Sequence, residues 1–175
     1  MPKPAMKVLY SREFIAEQVE RLGKEISRDY HGREILLAGV LKGSFLFFAD
    51  LVRAISSPVV VDFVRLASYG SETRSSGIVE MRKDLEIPLQ GRDVIIVEDI
   101  IDSGNTLEYL YHHLLQRKPR SLKICTLIDK RALREVPIEA DYVGITMDEG
   151  FIIGYGLDHD ERYRNLPDIH LLQEG

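Results

Sequence analysis

The stretch Val94–Leu107 reads "VIIVEDIIDSGNTL", and it decides how the chain is expected to fold. A run of apolar residues leads into two acids, Glu98 and Asp99, and a third acid, Asp102, precedes the small residues "SGNT". A continuous apolar run is typical of a strand in a parallel sheet that is covered on both faces. Glycine and hydroxyl residues ahead of a helical segment are typical of a turn into a helix N-terminus. The stretch therefore predicts a buried strand, a polar turn and a helix.

The rest of the chain repeats this alternation of apolar strands and amphipathic helices. We expect helices at 11–29, 45–55 and 106–117, and strands at 34–41, 58–66, 78–87, 94–99, 122–129, 141–146 and 151–156. The strand at 78–87 is predicted to form a hairpin with the residues that follow it. Strands that alternate with helices indicate a parallel sheet with helices on both faces. The predicted fold class is α/β, with a central, mostly parallel sheet flanked by helices.

Composition and charge exclude several classes of function. A length of 175 residues fits one domain with a substantial core. The net charge is −5 and there is no block of five or more Lys/Arg residues, which argues against a nucleic-acid partner. No apolar run approaches the roughly 20 residues that cross a bilayer, and the N-terminal residues lack the apolar region of a signal peptide. The single cysteine, Cys125, is predicted to be buried, and we expect a reducing, cytoplasmic location.

The acids of the central stretch are candidate ligand-binding residues. In a doubly wound sheet, ligands lie at the carboxyl ends of the strands, and Glu98 and Asp99 stand at such an end. Two acids at a strand end are otherwise an ordinary solvated pair, but here a helix N-terminus, which favours anions, follows them. Carboxylates accept hydrogen bonds from a ribose diol and are hard oxygen ligands for Mg²⁺. The pattern therefore favours a ligand with both a phosphate and vicinal hydroxyls, with Mg²⁺ as cofactor.

The stretch "VIIVEDIIDSGNTL" resembles the phosphoribosyl-pyrophosphate-binding motif of type I phosphoribosyltransferases. Three further stretches, "LKGS" (41–44), "LIDKRALR" (127–134) and "FIIGYGLDHDERYRNLPDI" (151–169), are most similar to the 6-oxopurine enzymes, the hypoxanthine(-guanine) phosphoribosyltransferases. The resemblance extends from about Val8 to Leu172. It implies the type I phosphoribosyltransferase fold as a single domain over 1–175. The core would span roughly 34–156, and the N-terminal residues with roughly 157–175 would form a small hood.

The resemblance implies which residues bind phosphoribosyl pyrophosphate. Glu98 and Asp99 would hold the ribose hydroxyls, directly or through Mg²⁺, and the residues from Asp102 onward would form the 5′-phosphate loop. Asp102 would also be the catalytic residue, as the general base for the proton on purine N7. The peptide before Lys42 can be cis in the family, exposing backbone N–H groups to pyrophosphate. The implied set is Lys42, Gly43, Glu98, Asp99, Asp102, Ser103, Gly104, Asn105, Thr106 and Arg164, with Arg134 as a further contact to pyrophosphate.

The resemblance also implies a purine-binding set. Lys130 would donate to the purine O6, and an ammonium, which has donors and no acceptor, suits a carbonyl rather than an amino group. Phe151 would stack on the purine, although the strand pattern alone predicts a core phenylalanine. Ile152 would offer backbone groups to the purine edge. Asp158 would lie beside the ligand as the second Mg²⁺ ligand, so that the implied metal ligands are Glu98, Asp99 and Asp158.

A polar, glycine-containing segment at 67–77 is predicted to be a mobile loop. By resemblance it corresponds to the family's lid, in which Ser68 and Tyr69 close over the site. Closure would exclude water, which competes for the sugar carbon.

The resemblance implies a purine-salvage enzyme. It would transfer the phosphoribosyl group of 5-phosphoribosyl 1-pyrophosphate to hypoxanthine, and to guanine, giving the nucleotide and pyrophosphate. Family members associate, and we expect a homodimer or homotetramer with small-molecule substrates and no membrane partner. Two alternatives stay open: a xanthine-preferring enzyme of the same fold, and a non-catalytic regulator that binds nucleic acid. The net charge of −5 and the presence of Asp102 count against the regulator.

Overall fold

The structure, a computed structural model, describes residues 4–69 and 78–173. The helices are α1 (Arg12–Asp29), α2 (Phe45–Ala54) and α3 (Asn105–Leu115), and a 3₁₀ turn covers Arg131–Leu133. The strands are β1 (Met6–Tyr10), β2 (Ile35–Leu41), β3 (Val59–Tyr69), β4 (Ile78–Lys83), β5 (Asp93–Ile101), β6 (Ser121–Lys130), β7 (Tyr142–Met147), β8 (Ile152–Ile153) and β9 (Ile169–Leu172). Within the described ranges, none of the helices has the length and apolar character needed to span a bilayer.

The central sheet has six strands in the order β4-β3-β2-β5-β6-β7. Its neighbours from β3 to β7 are parallel, and β4 pairs with β3 in the antiparallel sense. This arrangement confirms the predicted α/β fold class. The chain leaves β2 for β3 on one side and later returns to β2 from the other side with β5. The carboxyl ends of β2 and β5 therefore flank a topological switch point, where ligands of such sheets bind.

The sheet is buried on both faces, which explains the unbroken apolar runs in the sequence. Leu37 and Ile95 belong to the cluster that contains the buried residues of α1 and α2. Their chain neighbours Leu36 and Ile96 belong to the cluster that contains the buried residues of α3. Cys125 is fully buried, as predicted. The two helical layers thus hold the strands rigidly and leave the strand ends to carry polar side chains.

A second, three-stranded sheet joins the two ends of the described chain in the order β1-β9-β8. Its strands are antiparallel, with Lys7 opposite Leu171 and Leu171 opposite Ile152. This small sheet forms the hood beside the carboxyl ends of the central strands. It already includes β8, ahead of the predicted boundary near residue 156. The long segment between β8 and β9 is therefore positioned by the hood.

The predicted partner of β4 and the predicted start of the loop after β3 were both wrong. β4 pairs with the preceding strand, β3, rather than with later residues, and β3 continues through Tyr69. Ser68 pairs with Val79, and Tyr69 pairs with Ile78. Polar residues on an outer hairpin can face solvent, so their composition does not distinguish a strand from a loop. The remainder of the predicted loop, 70–77, lies outside the described residues.

Asp93, at the start of β5, anchors the opposite end of the sheet from the candidate ligand site. Its side chain is fully buried and accepts hydrogen bonds from Arg120, from Arg33 at 3.2 Å and from Ser121 Oγ at 2.7 Å. The Arg120 hydrogen bond, which is the largest cause, lowers the pKa of Asp93 below its ordinary value. A lowered folded-state pKa contributes stability above the unfolded value of about 3.9, and this contribution is lost as pH falls through the folded value.

Asp93→Asn is therefore expected to lower the free energy of unfolding by about 1–3 kcal/mol at pH 7, because the buried side chain loses its ionic hydrogen bonds to two arginines. The difference from wild type should shrink as pH falls below about 4. Urea unfolding at several pH values measures both effects. Asp160→Asn, at an 85% exposed side chain, is the matched control and should change stability by less than about 0.5 kcal/mol. A loss at Asp93 that stays constant down to pH 2 would contradict the ionic origin.

Candidate active site

The turn between β5 and α3 has the geometry of an anion-binding loop. Gly104 is the N-cap of α3 with φ +87°, and it offers no side chain to cap the first-turn N–H groups. A Cβ at Gly104 would lie 2.6 Å from Ile138 Cγ2 and 2.9 Å from Arg134 Cδ. Glycine is therefore required here both by its backbone conformation and by this close approach. The uncapped helix N-terminus leaves donors and a positive dipole end directed at the turn.

Residues from the segment after β6 hold this loop in place. Asn105 Nδ2 donates to Ser103 Oγ at 3.2 Å and to Glu135 Oε2 at 2.8 Å, and Glu135 N donates to Ser103 O at 2.9 Å. Arg134 Nε donates to Asp102 O at 3.3 Å, and its other nitrogens bind Asp129 and the carbonyl of Ile138. The guanidinium thus supports the loop, and the contact of Arg134 with pyrophosphate stays a prediction.

Glu135 was missed by sequence reasoning. It lies 30 residues from its partner Asn105 in the chain, and no local pattern marks it.

The paired acids lie at the carboxyl end of β5, as predicted. Glu98 Oε1 accepts a hydrogen bond from Asp99 N at 3.0 Å, and Asp99 Oδ1 accepts one from Ile100 N at 2.8 Å. Burial raises the pKa of Glu98 well above its ordinary value, and the neighbouring Asp99 charge adds to this shift. Burial also raises the pKa of Asp99. Two crowded carboxylates of this kind are stabilised by hydroxyl donors or by a cation.

A cleft of about 300 Å³ brings these groups together. It is lined by Ser68 and by the continuous stretch 98–107, which includes the acid pair, Asp102 and the anion-binding turn. The predicted ribose-binding and phosphate-binding residues therefore face one cavity. A sugar phosphate carries hydroxyl groups that could donate to the acids and an anion that the helix N-terminus favours.

Lys42 and Gly43 follow β2 on the other side of the switch point. The Leu41–Lys42 peptide is cis. A Cβ at Gly43 would lie 1.9 Å from Asp99 Oδ2, and a Cβ at Gly156 would lie 2.3 Å from Gly43 O. The backbone at Gly43 is thus packed between the β5 acid and the segment that follows β8.

That segment, 156–164, collects several charged side chains. Arg164 Nη1 donates to Gly156 O at 2.7 Å, and Arg164 Nη2 lies 3.4 Å from Asp158 Oδ1 and 3.3 Å from Glu161 Oε1. Arg164 Nε is buried and has no hydrogen-bond partner among the described residues. The predicted residues Asp158 and Arg164 are therefore in direct contact, with Arg164 held against the segment by its Nη1 and Nη2 atoms.

Glu161 connects this segment to Lys42. Lys42 Nζ donates to Glu161 Oε2 at 2.9 Å, and this hydrogen bond lowers the pKa of Glu161 below its ordinary value. Glu161 was not among the predicted site residues. The residues that it joins, Lys42 and Arg164, are 122 positions apart, and only the packing of the hood on the β2 turn reveals the contact.

The predicted purine-binding residues lie on the other side of Asp102. Lys130, at the end of β6, has an 8% exposed side chain, and its Nζ donates to Gly150 O at 2.7 Å and lies 3.4 Å from Asp102 Oδ1. Phe151 is 50% exposed, so the alternative of a core phenylalanine was wrong. Its ring meets the His159 ring in a T-shaped contact with the centroids 5.5 Å apart. The backbone of Ile152 lies in β8, opposite Leu171, and its side chain is buried.

The predicted metal ligands fit Mg²⁺ by donor chemistry, because Glu98, Asp99 and Asp158 supply hard carboxylate oxygens. Burial raises the pKa values of Glu98 and Asp99, and a nearby cation would favour the ionised forms of both carboxyl groups. Across the described ranges, no group of three His, Cys, Asp or Glu side chains is arranged to hold a metal ion. Mg²⁺ in this site would therefore complete its coordination with substrate oxygens and water.

Fold and site together define a protein of the phosphoribosyl transferase domain class, and the model of that domain family matches residues 7–160. A hypoxanthine-guanine phosphoribosyltransferase from Bacillus subtilis is 48% identical to the chain, covering 95% of this chain and 93% of that protein. The crystal structure of a hypoxanthine-guanine phosphoribosyltransferase from Bacillus anthracis, with HEPES in its active site, superimposes with a TM-score of 0.93. It is 46% identical and covers 98% of this chain and 100% of the other. The chain belongs to the hypoxanthine-guanine phosphoribosyltransferase family.

A bifunctional protein TilS/HprT from Listeria innocua is 49% identical over 99% of this chain, and the chain spans 27% of that protein. Membership of the family confirms the fold class and the enzyme class predicted from the sequence.

Proposed function

We propose that the chain is a Mg²⁺-dependent purine-salvage enzyme that transfers the phosphoribosyl group of 5-phosphoribosyl 1-pyrophosphate to hypoxanthine and guanine. The products are the purine nucleotide and pyrophosphate. One observation carries the proposal: a buried lysine, Lys130, lies 3.4 Å from Asp102, which begins the glycine-capped phosphate loop. This pair supports the proposal because the lysine would donate to a purine carbonyl and the aspartate would accept from a purine N–H, beside the proposed sugar-phosphate site.

Phosphoribosyl pyrophosphate would span the switch point between β2 and β5. The 5′-phosphate binds the loop of Ser103, Gly104, Asn105 and Thr106 at the start of α3, where free N–H groups favour an anion. The ribose hydroxyls donate to Glu98 and Asp99. The pyrophosphate lies toward Lys42, Gly43 and Arg164. Glu98 and Asp99 on the ribose side, and Asp158 on the pyrophosphate side, would offer oxygens to Mg²⁺, which would offset the negative charge of the pyrophosphate.

The residues of the chain then act by orientation and charge. The bond from ribose C1 to pyrophosphate breaks ahead of the formation of the bond to purine N9, so the transition state has oxocarbenium character. Holding the purine and the sugar in line supplies much of the rate acceleration, because both reactants are already positioned when the reaction begins. Asp102 accepts the N7 proton late, after N9 has begun to bond, because a carboxylate is a weak base at neutral pH.

Water must be kept from ribose C1 while the sugar carries positive charge. Ser68 lines the cleft and is the second-last residue of β3, within the segment 67–77 that is predicted to be the lid. We propose that Ser68 and Tyr69 close over the bound substrates. The lid as a whole stays a prediction, because 70–77 lie outside the described residues.

The purine would be selected by its O6 and by its flat face. Lys130 donates to a carbonyl at C6, which hypoxanthine, guanine and xanthine carry and adenine does not. The exposed ring of Phe151 is free to stack on the base, a contact worth about 1–3 kcal/mol. Backbone groups of Ile152 would meet the pyrimidine edge of the purine. These contacts do not rank hypoxanthine, guanine and xanthine as substrates. An experiment with a panel of bases compares them.

That experiment offers hypoxanthine, guanine, xanthine and adenine with phosphoribosyl pyrophosphate, with and without a chelator, and measures pyrophosphate release. We expect turnover with hypoxanthine and guanine, none with adenine, and loss of all turnover with the chelator. Preference for xanthine would support the xanthine alternative. Turnover with adenine alone would contradict the assigned role of Lys130. Absence of turnover together with salt-sensitive binding of RNA would support the regulator.

Lys130→Met is expected to raise the KM for the purine about 10- to 150-fold, because a charged hydrogen bond of about 1.5–3 kcal/mol is lost. The KM for phosphoribosyl pyrophosphate should stay within a few-fold of the wild-type value. Steady-state kinetics with each substrate varied in turn measures both. Lys123→Met, on the same strand and stacked against Tyr30 and Tyr142, is the matched control and should change neither value. Equal losses for both substrates would indicate a folding defect instead.

We further propose that the protein acts in the cytoplasm as a homodimer or homotetramer, with residues 1–175 as one domain, and binds neither nucleic acid nor membrane. The net charge of −5 argues against a nucleic-acid partner, and the single cysteine fits a reducing compartment. The expected assembly rests on the resemblance to a family whose members associate. Size-exclusion chromatography with light scattering tests the assembly. A monomer at micromolar concentration would contradict it.

A further inference from the structure

Glu161 binds the two cations that the proposed function assigns to pyrophosphate. One carboxylate oxygen lies 2.9 Å from Lys42 Nζ, and the other lies 3.3 Å from Arg164 Nη2. A single carboxylate thus bridges Lys42, which follows β2, and Arg164, which lies between β8 and β9. Its oxygens contact these donors as the oxygens of a phosphate group would.

The turn that carries Glu161 presents this side chain in a defined position. Asp160, Glu161 and Tyr163 all have positive φ angles, of 51°, 61° and 74°. Glu161 N donates to Asp158 Oδ2 at 2.8 Å, and His159 and Arg162 exchange backbone hydrogen bonds of 3.1 and 3.0 Å. The side chain nevertheless remains 64% exposed and free to turn toward solvent. The contact is therefore built into the turn but is readily exchanged.

Arg164 already uses its Nη2 for two carboxylates, so a polyanion that binds this nitrogen would compete with Glu161. Its Nη1 donates to Gly156 O, and its Nη2 is shared between Asp158 and Glu161. Its Nε has no partner among the described residues. An incoming pyrophosphate oxygen at Nη2 would take the position that Glu161 holds, and its negative charge would repel the Glu161 carboxylate.

We infer that Glu161 is an internal counter-anion that occupies the Lys42–Arg164 cation pair when no ligand is bound and must leave it when pyrophosphate or its ribosyl ester binds. The inference rests on the proposed function. Binding of either polyanion then includes the free-energy cost of breaking the Glu161 contacts. When the Glu161 contacts form again, they favour the release of pyrophosphate. Binding of the purine, which would contact Lys130 and Phe151, does not depend on Glu161.

Glu161→Gln tests the inference, because the amide keeps the shape of the side chain and removes its charge. We expect the variant to bind pyrophosphate and phosphoribosyl pyrophosphate about 2- to 5-fold more tightly, the range of exposed ion pairs. Calorimetric titration with inorganic pyrophosphate and Mg²⁺ measures the first, and the same titration with phosphoribosyl pyrophosphate in the absence of purine measures the second. The KM for the purine should equal that of the wild type.

Asp160→Asn is the matched control. It removes the same charge one residue away, from a carboxylate that lies 4.0 Å from His159, and it should leave pyrophosphate affinity unchanged. Unchanged or weaker pyrophosphate binding in Glu161→Gln would overturn the inference, and so would equal tightening in both variants. If the wild type turned over none of the purines, the proposed function would fail, whereas the calorimetric comparison would still decide the role of Glu161.

Discussion

Asp102→Ala is expected to lower turnover about 100- to 10,000-fold, the range that a positioned general acid or base supplies. The carboxylate lies at the mouth of the cleft and 3.4 Å from Lys130 Nζ, so it can accept a proton from a purine whose O6 binds that lysine. Its removal leaves the developing positive charge on the purine without a counter-charge. The phosphate loop itself is held by Glu135, Arg134 and Gly104, and it should keep its shape.

Affinity for phosphoribosyl pyrophosphate should therefore stay within a few-fold of the wild-type value. Single-turnover kinetics measures the chemical step, and calorimetry with the sugar phosphate measures binding. Asp102→Asn is the informative companion, because it keeps the size of the side chain and removes the base. It should lose nearly as much turnover as the alanine variant. Turnover within twofold of wild type in both variants would contradict the assignment of Asp102 as the base.

Gly43→Ala is expected to lower kcat/KM for phosphoribosyl pyrophosphate by about 100-fold, as small misplacements of substrate-positioning groups do. The added Cβ would lie 1.9 Å from Asp99 Oδ2, so the carboxylate has to move away from the ribose. The φ angle at Gly43 is not positive, so the substitution adds no left-handed backbone strain. The fold should survive, because the clash is with the end of one side chain and not with the core.

Thermal unfolding and steady-state kinetics together distinguish this local effect from a general loss of structure. Gly91→Ala is the matched control, since Gly91 has φ +73° and open space where its Cβ would lie. It should cost about 1 kcal/mol of stability and leave kcat/KM unchanged. Wild-type kcat/KM in Gly43→Ala would mean that the position of the Asp99 carboxylate does not matter for substrate binding.

Much of the fold was predictable because its signals are local. Parallel strands buried on both faces give continuous apolar runs, and these placed β2, β5 and β6 to within a few residues. The pairing of β4 and the full length of β3 were not predictable in this way. An outer hairpin has a mixed composition, and the choice of partner depends on which strand lies beside it in space.

The candidate site likewise contains residues that a local motif predicts and residues that only the tertiary structure brings together. The stretch from Glu98 to Thr106 is contiguous, and its residues face one cleft as the motif indicates. The contacts of Lys42 with Glu161 and of Asn105 with Glu135 join residues 119 and 30 positions apart. No periodicity or motif records such contacts, because they form only after the hood and the segment following β6 pack against the strand ends.

The sequence by itself determined the α/β class, the anion-binding turn and the family resemblance, since each depends on residues that are neighbours in the chain. The tertiary structure alone decided that Gly43 abuts Asp99, that Lys130 approaches Asp102, and that a glutamate bridges the two cations assigned to pyrophosphate. These contacts connect separate strands and the hood at one switch point. Their distances are set by the packing of whole layers, which no short stretch of sequence encodes.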